Sequence, residues 1–432
     1  MHDAAERLLL GPRGRRLCLE YVRLLDEGVD GSLSWFAQDI DPNPGVILRM
    51  AGDDAPAEHP SLTAADVATK ISDVDLANVD SDFLRTALRA SLDAARYWQE
   101  PDGNDLAAAL PEIRSALMPV AALLVASLPD LAAPRAATQW AVDWNPAAQA
   151  APLFTAPDNA LRTWTSEVND EERRSQRERP ADPRANWSGT WWSVPLTVLE
   201  TRGSVEAARE LMEDSFGWTA ATFIPVRGSG TVLEIASAKD WAELCRAYPV
   251  EVTASRRHDW YRTTGRDGRW VMPDWERVAS AWDSVHLTTL AYLSAATQLI
   301  PVDDEFATII AGWAPDSTLW LRDVVREADA PRQEWSRPSD QDPWTRRPRT
   351  SDWEFFLGQG GPSTSELRDA HRRQFERLRE LIAASMGGGA FTEHADALTT
   401  GIRDLAAAGA SIDLIAAELG LSRAFVEDAI GR

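Results

Sequence analysis

The sequence predicts an α+β protein with a helical N-terminal region, a tryptophan-rich mixed α/β central domain and a small helical C-terminal unit. Apolar residues recur every three or four positions in the first part, and short β-prone runs alternate with helical segments in the second. Three short amphipathic segments end the chain. With 432 residues, 44% of them hydrophobic, the chain can form at least one large core. We expect a helical domain over 1–184, a central domain over 185–325, a Pro- and Arg-rich linker over 326–362 and a helical tail over 363–432.

The helical prediction for the first region depends on apolar spacing. Leu84, Leu88 and Leu92 fall on one face of a helix, which Ser81 or Asp82 would cap. A second helix is predicted over about 112–127, with Pro119 as a kink or an early-turn residue.

Two further segments of this region carry weaker patterns. The short apolar run 45–50 predicts a strand. The charged stretch 167–184 mixes acids and arginines at helical spacing and ends in two prolines. We expect it to form an exposed helix and a linker, with the first domain boundary near its end.

The central region combines tryptophans with short elements of both kinds. The predicted strands are 222–226, 231–235 and 250–253, and the predicted helices are 204–214, 238–248 and 274–299. No glycine-rich loop follows a predicted strand, so the sequence contains neither a Walker loop nor a dinucleotide-binding fingerprint. No cofactor can be named from the sequence.

Composition excludes several classes of protein. Acidic residues outnumber basic ones by 67 to 44, and the net charge of −23 opposes non-specific binding to nucleic acid or to anionic membranes. Cys18 and Cys245 have no metal-ligand or disulfide spacing. The apolar run 118–126 is far shorter than the roughly 20 residues of a membrane span, and Leu8–Leu10 is too short for a signal peptide. We expect a cytoplasmic protein without a membrane partner.

The chain ends in three short predicted helices joined at Gly409 and at residues 419–422. The second junction resembles the turn of a resolvase-type or sigma-factor-type helix-turn-helix over about 33 residues. That resemblance implies that Ser422 caps a recognition helix and that Arg423 reaches DNA bases. Residues 396–432, however, hold three basic and six acidic residues, so a packing or protein-contact role is the alternative.

The densest group of chemically capable residues lies in 251–264, which we predict to be a surface loop or a strand-to-loop junction. The candidate ligand-binding residues there are Arg256, Arg257, Tyr261 and Arg262, and His258 is a candidate catalytic residue. Arginines can hold an anionic group, and histidine can donate or accept a proton. The alternative is a structural clamp that fixes this segment to the body.

Two other segments contribute candidates. If the run around 282–288 is helical, Asp283 and His286 share a face and can form a catalytic carboxylate–histidine pair, although the histidine can equally be a core residue. Trp191 and Trp192 lie among small hydroxyl residues and could stack on a base or sugar, or belong to a core strand. A metal site would need a third ligand, for which only Asp304 or Glu305 is available, so no metal site is predicted.

Three hypotheses follow. The first is a central domain that binds a small anionic or nucleotide-like ligand, with transferase chemistry as one form. The second is a transcriptional or defence regulator with a DNA-reading tail, and the third is a non-catalytic protein that acts through a protein partner or self-association. Through 252–265 and 275–293 the body is similar to uncharacterised tryptophan-rich proteins of actinobacteria, a resemblance that implies no activity.

Overall fold

The structure is a computed structural model that describes most of the first 339 residues and parts of the remainder. The described residues are 2–44, 61–76, 79–128, 130–144, 156–213, 218–339, 342–347, 375–378, 399–406, 410–419, 426 and 429–430. The chain divides into two compact units, Met1–Gln333 and Glu334–Arg432. The predicted helical and tryptophan-rich regions both belong to the first unit. The strand predicted over 45–50 lies outside the described residues.

The N-terminal part of the first unit is helical, as predicted. Its helices are α1 (His2–Leu8), α2 (Pro12–Leu25), α3 (Glu27–Ile40), α4 (Ala64–Ser72), α5 (Ser81–Asp93), α6 (Gly103–Ala109), α7 (Pro111–Ala116) and α8 (Met118–Ser127). Asp80, just before the two predicted cap residues, caps α5 by accepting from two backbone N–H groups. The segment predicted as one helix is divided into α7 and α8 at Leu117, and Pro119 is an early-turn residue, in the first turn of α8, which is one of the two positions predicted for it.

The rest of the first unit contains two sheets and the helices that connect their strands. The strands are β1 (Thr138–Asp143), β2 (Leu199–Arg202), β3 (Ala220–Gly228), β4 (Val232–Ile235), β5 (Pro249–Glu251), β6 (Arg269–Pro273), β7 (Ser284–Leu287), β8 (Ile300–Pro301), β9 (Phe306–Thr308), β10 (Ser317–Trp320) and β11 (Val325–Glu327). The main sheet has the order β3-β1-β2-β10-β7-β4, with β11 also paired to β3, and the smaller sheet has the order β5-β6-β9-β8. In the main sheet β4 and β7 are parallel and the other described pairs are antiparallel.

Helices lie between these strands. They are α9 (Pro157–Glu178), α10 (Val205–Glu210), α11 (Ala238–Ala247), α12 (Thr253–Thr264), α13 (Trp275–Val278) and α14 (Thr289–Ala295). Helices and mixed sheets together confirm the predicted α+β class. The helix predicted over 274–299 was wrong, because β7 separates α13 from α14. Both β7 and α14 are almost fully buried, so no alternation between a solvent face and a core face separated the strand from the helix.

The charged stretch 167–184 forms the second half of α9 up to Glu178 and then a non-helical segment, as predicted, and α9 packs against α12 and α13. Glu172 at its centre is only 7% exposed. The prediction of an exposed helix was therefore wrong for the helix face that carries Glu172. Acids and arginines at helical spacing show that a helix has a charged surface, but they do not show which acid has a buried partner.

Most of the central tryptophans form the core. Those almost fully buried are Trp241, Trp260, Trp270, Trp275, Trp313 and Trp320. Several indole N–H groups have a buried acceptor, as when Trp275 donates to the carbonyl of Ser193 at 3.0 Å. The indoles therefore supply apolar area while a few donors fix their orientation.

The strand β12 (Gln333–Ser336) begins at the last residue of the first unit, and it pairs antiparallel with β13 (Thr345–Arg346) within the segment predicted as a linker. Residues 399–406 are helical, and α15 (Ile412–Leu419) follows. Ile402, Leu405 and Ile415 are fully buried in one small core. Ser422 and Arg423, the predicted DNA-binding residues, lie outside the described residues, so the helix-turn-helix remains a prediction.

Candidate functional site

The segment predicted as a surface loop, residues 251–264, is mainly the helix α12. It lacks a cap of its own, because Val252 provides no side-chain acceptor. The carboxylate of Glu172 on α9 takes this role by accepting from the N–H of Ala254 at 2.9 Å and of Ser255 at 2.8 Å. The loop prediction was wrong because the capping group comes from 82 residues upstream.

The three predicted ligand-binding arginines on α12 contact different parts of the chain. Arg256 is buried and pairs with Glu171 at 3.0 Å. Arg257 donates to the carbonyl of Pro180 at 2.8 Å, and Arg262 donates to a carboxylate on its own helix and to backbone carbonyls. Each contact holds α12 to a neighbouring segment, and the three side chains do not converge on one cleft.

His258 and Tyr261, also predicted in this segment, have separate surroundings. His258 is 1% exposed and lies beside the backbone of Asp182. Burial, followed by the charge of Arg257, lowers the pKa of His258. The ring centroid of Tyr261 lies 5.6 Å from Cζ of Arg184.

Asp283 and His286 do not form the predicted carboxylate–histidine pair. His286 is on β7 and Asp283 precedes that strand, and residues three apart along a strand point to opposite faces. Asp283 accepts from the N–H and the hydroxyl of Thr231, at 2.7 and 2.9 Å. The Nδ1 atom of His286 lies 3.0 Å from the hydroxyl of Thr318.

Trp191 and Trp192 lie in an aromatic cluster. The ring of Trp191 stacks on Tyr97 with the centroids 5.1 Å apart, and Trp98 lies 5.0 Å away. Trp192 meets Trp191 edge-on at 4.9 Å. Protein aromatic rings therefore occupy the surroundings of Trp191 that a base or a sugar would need.

A cavity of about 320 Å³ lies between α2, the segment 94–109, the end of α12 and residues 297–299. Its polar lining includes Arg13, Arg15, Arg96, Asp102, Asp105, Thr263, Thr264 and Thr297. The volume falls within the range of small-molecule sites. The predicted segment thus contributes threonines at its end rather than its arginines.

Two of the three acids of this cavity are paired with arginines, and the third, Glu100, accepts from the side-chain amide of Asn43 at 3.1 Å. Asp105 forms a buried ion pair with Arg13 and lies 3.2 Å from Arg16. Asp102 accepts from Arg16 at 2.9 Å. Burial acts to raise the pKa of Asp102, but the charge of Arg16, the hydrogen bonds from Arg16 and from the backbone N–H of Asp105, and the charge of Arg13 together outweigh it and hold the pKa below its ordinary value. Asp102 is therefore charged, and arginines lie within ion-pair distance of both carboxylates.

Arg15 differs from these paired groups. Its Nη1 donates to the carbonyls of Leu9 and Leu10, at 3.1 and 2.6 Å, and its buried Nε has no acceptor in the described part of the chain. Burial, followed by the charge of Arg114, lowers the pKa of Arg15 to about 10. No carboxylate of the described residues lies within ion-pair distance of this guanidinium. Arg15 is therefore a poorly neutralised cation in the cavity wall.

Thr297 in the cavity wall has strained backbone geometry. Its φ of +61° is an unusual value for a β-branched residue. Arg13 donates to its hydroxyl at 3.1 Å, which in turn donates to the carbonyl of Ala296 at 2.6 Å. Strain of this kind persists only where surrounding contacts hold it, and it concentrates at functional sites.

A second cavity of about 520 Å³ adjoins the first, because Gln99, Glu100 and Asp102 line both. Arg262, a predicted ligand-binding residue, also lines this second cavity, as does Ser188. The two cavities together extend from α2 to the start of the tryptophan-rich region.

A buried carboxylate lies among the same helices. Glu213 accepts from the hydroxyl of Tyr97 and from that of Tyr292 at 2.8 Å, and both tyrosines are fully buried. Burial raises the pKa of Glu213 to about 7, although the two hydroxyls and the charges of Arg13 and Arg202 act in the opposite direction. The group therefore titrates near neutral pH.

Among the described residues, no group of three or more His, Cys, Asp or Glu side chains could hold a metal ion. In the same part of the chain, no helix is long and apolar enough to cross a membrane. No family model matches the chain, and searches of curated proteins and of solved structures find no significant match.

Sequence reasoning missed Arg13 and Arg15 as site residues. The available signal was their position on α2, where buried leucines surround arginines that a solvated helix would keep on its polar face. The remainder of the lining comes from segments far apart in the chain, and no local pattern joins them.

Proposed function

We propose that the protein binds a small anionic ligand, such as a phosphate ester or a nucleotide, in the cavity lined by Arg13, Arg15 and Arg96. The observation that carries the proposal is Arg15, a half-buried arginine with a buried Nε and without a carboxylate partner among the described residues, in a chain whose net charge is −23. An uncompensated cation in a poorly solvated place costs free energy, and a bound anion would remove much of that cost.

The paired acids support an anion rather than a cation as the ligand. Asp102 and Asp105 would repel an anion if they were free, but Arg13 and Arg16 neutralise both. The guanidinium of Arg96 donates to two backbone carbonyls and is exposed. Arg15 and Arg96 are therefore the groups best placed to receive a phosphate or carboxylate in bidentate hydrogen bonds.

The finer parts of this proposal extend the hypothesis drawn from the sequence. We place the site in a cytoplasmic protein, which two buried free thiols fit. Transferase chemistry, DNA binding by the tail and a protein partner remain predictions, since the arginine cavity by itself favours binding and not a particular reaction.

Thermal unfolding of the full chain with inorganic phosphate or AMP tests the proposal. A ligand at about 100 times its Kd stabilises the folded state by about 2.7 kcal/mol, which raises Tm by a few degrees. We expect this shift in the wild type and its loss in Arg15→Gln, each compared with its own unliganded Tm.

Two controls separate this site from the alternatives. Arg174→Gln removes the same charge from an exposed position on α9 and should keep the shift. Arg257→Ala alters the segment favoured by the sequence and should also keep it. An equal shift in Arg15→Gln, or no shift of the wild type with either anion, would contradict the proposed site.

A further inference from the structure

The cavity of about 520 Å³ that adjoins the arginine cavity has a polar wall, and we call it the polar cavity. It lies between the end of α3, the segment 98–102, residues 186–188 and α12. Eight of the nine described residues that line it have polar side chains. Three of these are carboxamides and three are carboxylates: Asn43, Gln99, Asn186, Asp41, Glu100 and Asp102. An apolar ligand would leave most of these groups without a hydrogen-bond partner.

Hydrogen bonds hold the walls of the polar cavity in place. Arg262 donates to the carbonyl of Trp98 at 3.1 Å and to that of Ala185 at 3.4 Å. Asp41 accepts from the backbone N–H of Gly103 at 2.7 Å. Arg262 is therefore a positioning residue that ties two walls of the cavity together, and the binding groups have to be sought among the other side chains.

Four exposed side chains of the polar cavity have atoms open to a ligand. The side-chain amides of Gln99 and Asn186 form no hydrogen bond within the described part of the chain. Asn43 donates to Oε2 of Glu100 at 3.1 Å, which leaves the amide oxygen of Asn43 and Oε1 of Glu100 without a partner among the described residues. The cavity therefore offers amide donors, amide acceptors and a carboxylate acceptor in one place.

The aromatic side chain of this wall already packs against protein groups. The ring centroid of Trp98 lies 5.0 Å from that of Trp191, and Cζ of Arg96 lies 5.9 Å from the centroid of Trp98. A nucleobase is typically held by stacking on an aromatic ring, whereas a hydroxyl group needs only donors and acceptors. The lining therefore fits a group with several hydroxyls better than it fits a base.

The two cavities share part of their walls. Gln99, Glu100 and Asp102 line both, so a ligand can extend from one cavity into the other along these residues. Arg16 pairs with Asp102 at 2.9 Å, which reduces the repulsion that this carboxylate would exert on an anion beside Arg15. A ligand with an anionic end and a polyhydroxyl end matches the two linings in turn.

We propose that the polar cavity binds the sugar of a sugar phosphate whose phosphate group occupies the arginine cavity. Each sugar hydroxyl donates to a carboxylate or amide oxygen, as of Glu100 or Asn43, and accepts from the side-chain N–H groups of Gln99 or Asn186. A protonated amine has no lone pair for these N–H groups. The inference rests on the proposed anion binding and adds the chemical class of the ligand.

Isothermal titration calorimetry of the full chain with four phosphate monoesters tests the inference. The four are D-ribose 5-phosphate, D-glucose 6-phosphate, butyl phosphate and 2-aminoethyl phosphate, which share the phosphate and differ in the group beyond it. We expect at least one sugar phosphate to bind about tenfold or more tightly than butyl phosphate, because butyl phosphate cannot bond to the amides. We expect 2-aminoethyl phosphate to bind no more tightly than butyl phosphate. These measurements on the wild type do not depend on whether a variant folds.

Matched asparagine variants give the second part of the test. Asn186→Ala should reduce the preference for the sugar phosphate over butyl phosphate by about fivefold, as expected for the loss of one or two hydrogen bonds. Asn159→Ala removes an exposed asparagine of α9 that lines neither cavity and should leave the preference unchanged.

The outcomes separate this inference from the anion binding on which it rests. Equal affinity for butyl phosphate and both sugar phosphates would overturn the sugar site and leave the anion site standing. Tighter binding of 2-aminoethyl phosphate than of either sugar phosphate would overturn it in favour of a ligand with an amine. Binding of none of the four monoesters would overturn both proposals.

Discussion

Replacing Glu213 by glutamine should change how the stability of the protein depends on pH. Burial raises the pKa of this carboxyl group in the folded protein to about 7, whereas the ordinary value is 4.5. A folded-state pKa above the unfolded one means that the carboxyl favours folding most at low pH. Its contribution is complete below about pH 4.5 and is lost as the pH rises through about 7.

The magnitude follows from the size of the shift. Raising the pKa from 4.5 to about 7, at about 1.4 kcal/mol per pH unit, corresponds to about 3 kcal/mol. Glutamine does not titrate, but it can still bond to the hydroxyls of Tyr97 and Tyr292. The stability of Glu213→Gln minus that of the wild type should therefore grow by about 3 kcal/mol between mildly acidic and mildly alkaline pH.

Urea unfolding followed by tryptophan fluorescence measures this difference at a series of pH values. Other titrating groups are common to both proteins and cancel in the comparison. Glu178→Gln, at an exposed position near the end of α9, is the control and should give a difference that does not vary with pH. A difference for Glu213→Gln that stays constant across neutral pH would refute the assignment of a buried carboxyl that titrates there.

Three other substitutions test the packing around the sites. Glu172→Ala leaves two N–H groups of α12 without an acceptor and should lower the free energy of unfolding by about 2 kcal/mol in urea titrations; no loss would show that solvent caps the helix. Arg257→Ala removes a hydrogen bond to the carbonyl of Pro180 on an only partly buried side chain, so Tm should fall by no more than a few degrees, and a collapse of the fold would show a larger role. Gly228→Ala places a methyl group against the ring of Trp320 and should cost about 1–3 kcal/mol by calorimetry, whereas unchanged stability would contradict this close packing.

Local signals predicted several elements well. The helix predicted over 238–248 is α11, Ala238–Ala247, because Ser237 caps it by accepting from the N–H of Asp240. The predicted strands at 222–226 and 231–235 correspond to β3 and β4. Each of these elements carries its own start signal or β-prone composition, so a short window of sequence contains the information.

The errors arose where a distant residue decides the local structure. The N-terminal end of α12 is capped by Glu172, and β7 is a strand because it pairs with β4 and β10. A window around either segment contains neither partner. The same limit applies to the candidate sites, since Arg15 and Thr297 are far apart in the chain and line one cavity.

The sequence by itself determined the α+β class, the helical N-terminal region, the tryptophan-rich centre and the excess of acidic charge, because composition and periodicity are properties of neighbouring residues. The sequence also identified His286 as a candidate site residue, but it predicted a pair with Asp283 that the structure does not contain. Only the tertiary structure decided that His286 faces Glu234 and Asp316 and that Arg15 is left without a carboxylate partner among the described residues. The physical reason is that burial and the partner of a charge are set by contacts between distant segments, and these contacts control whether a polar group is neutralised or remains open to a ligand.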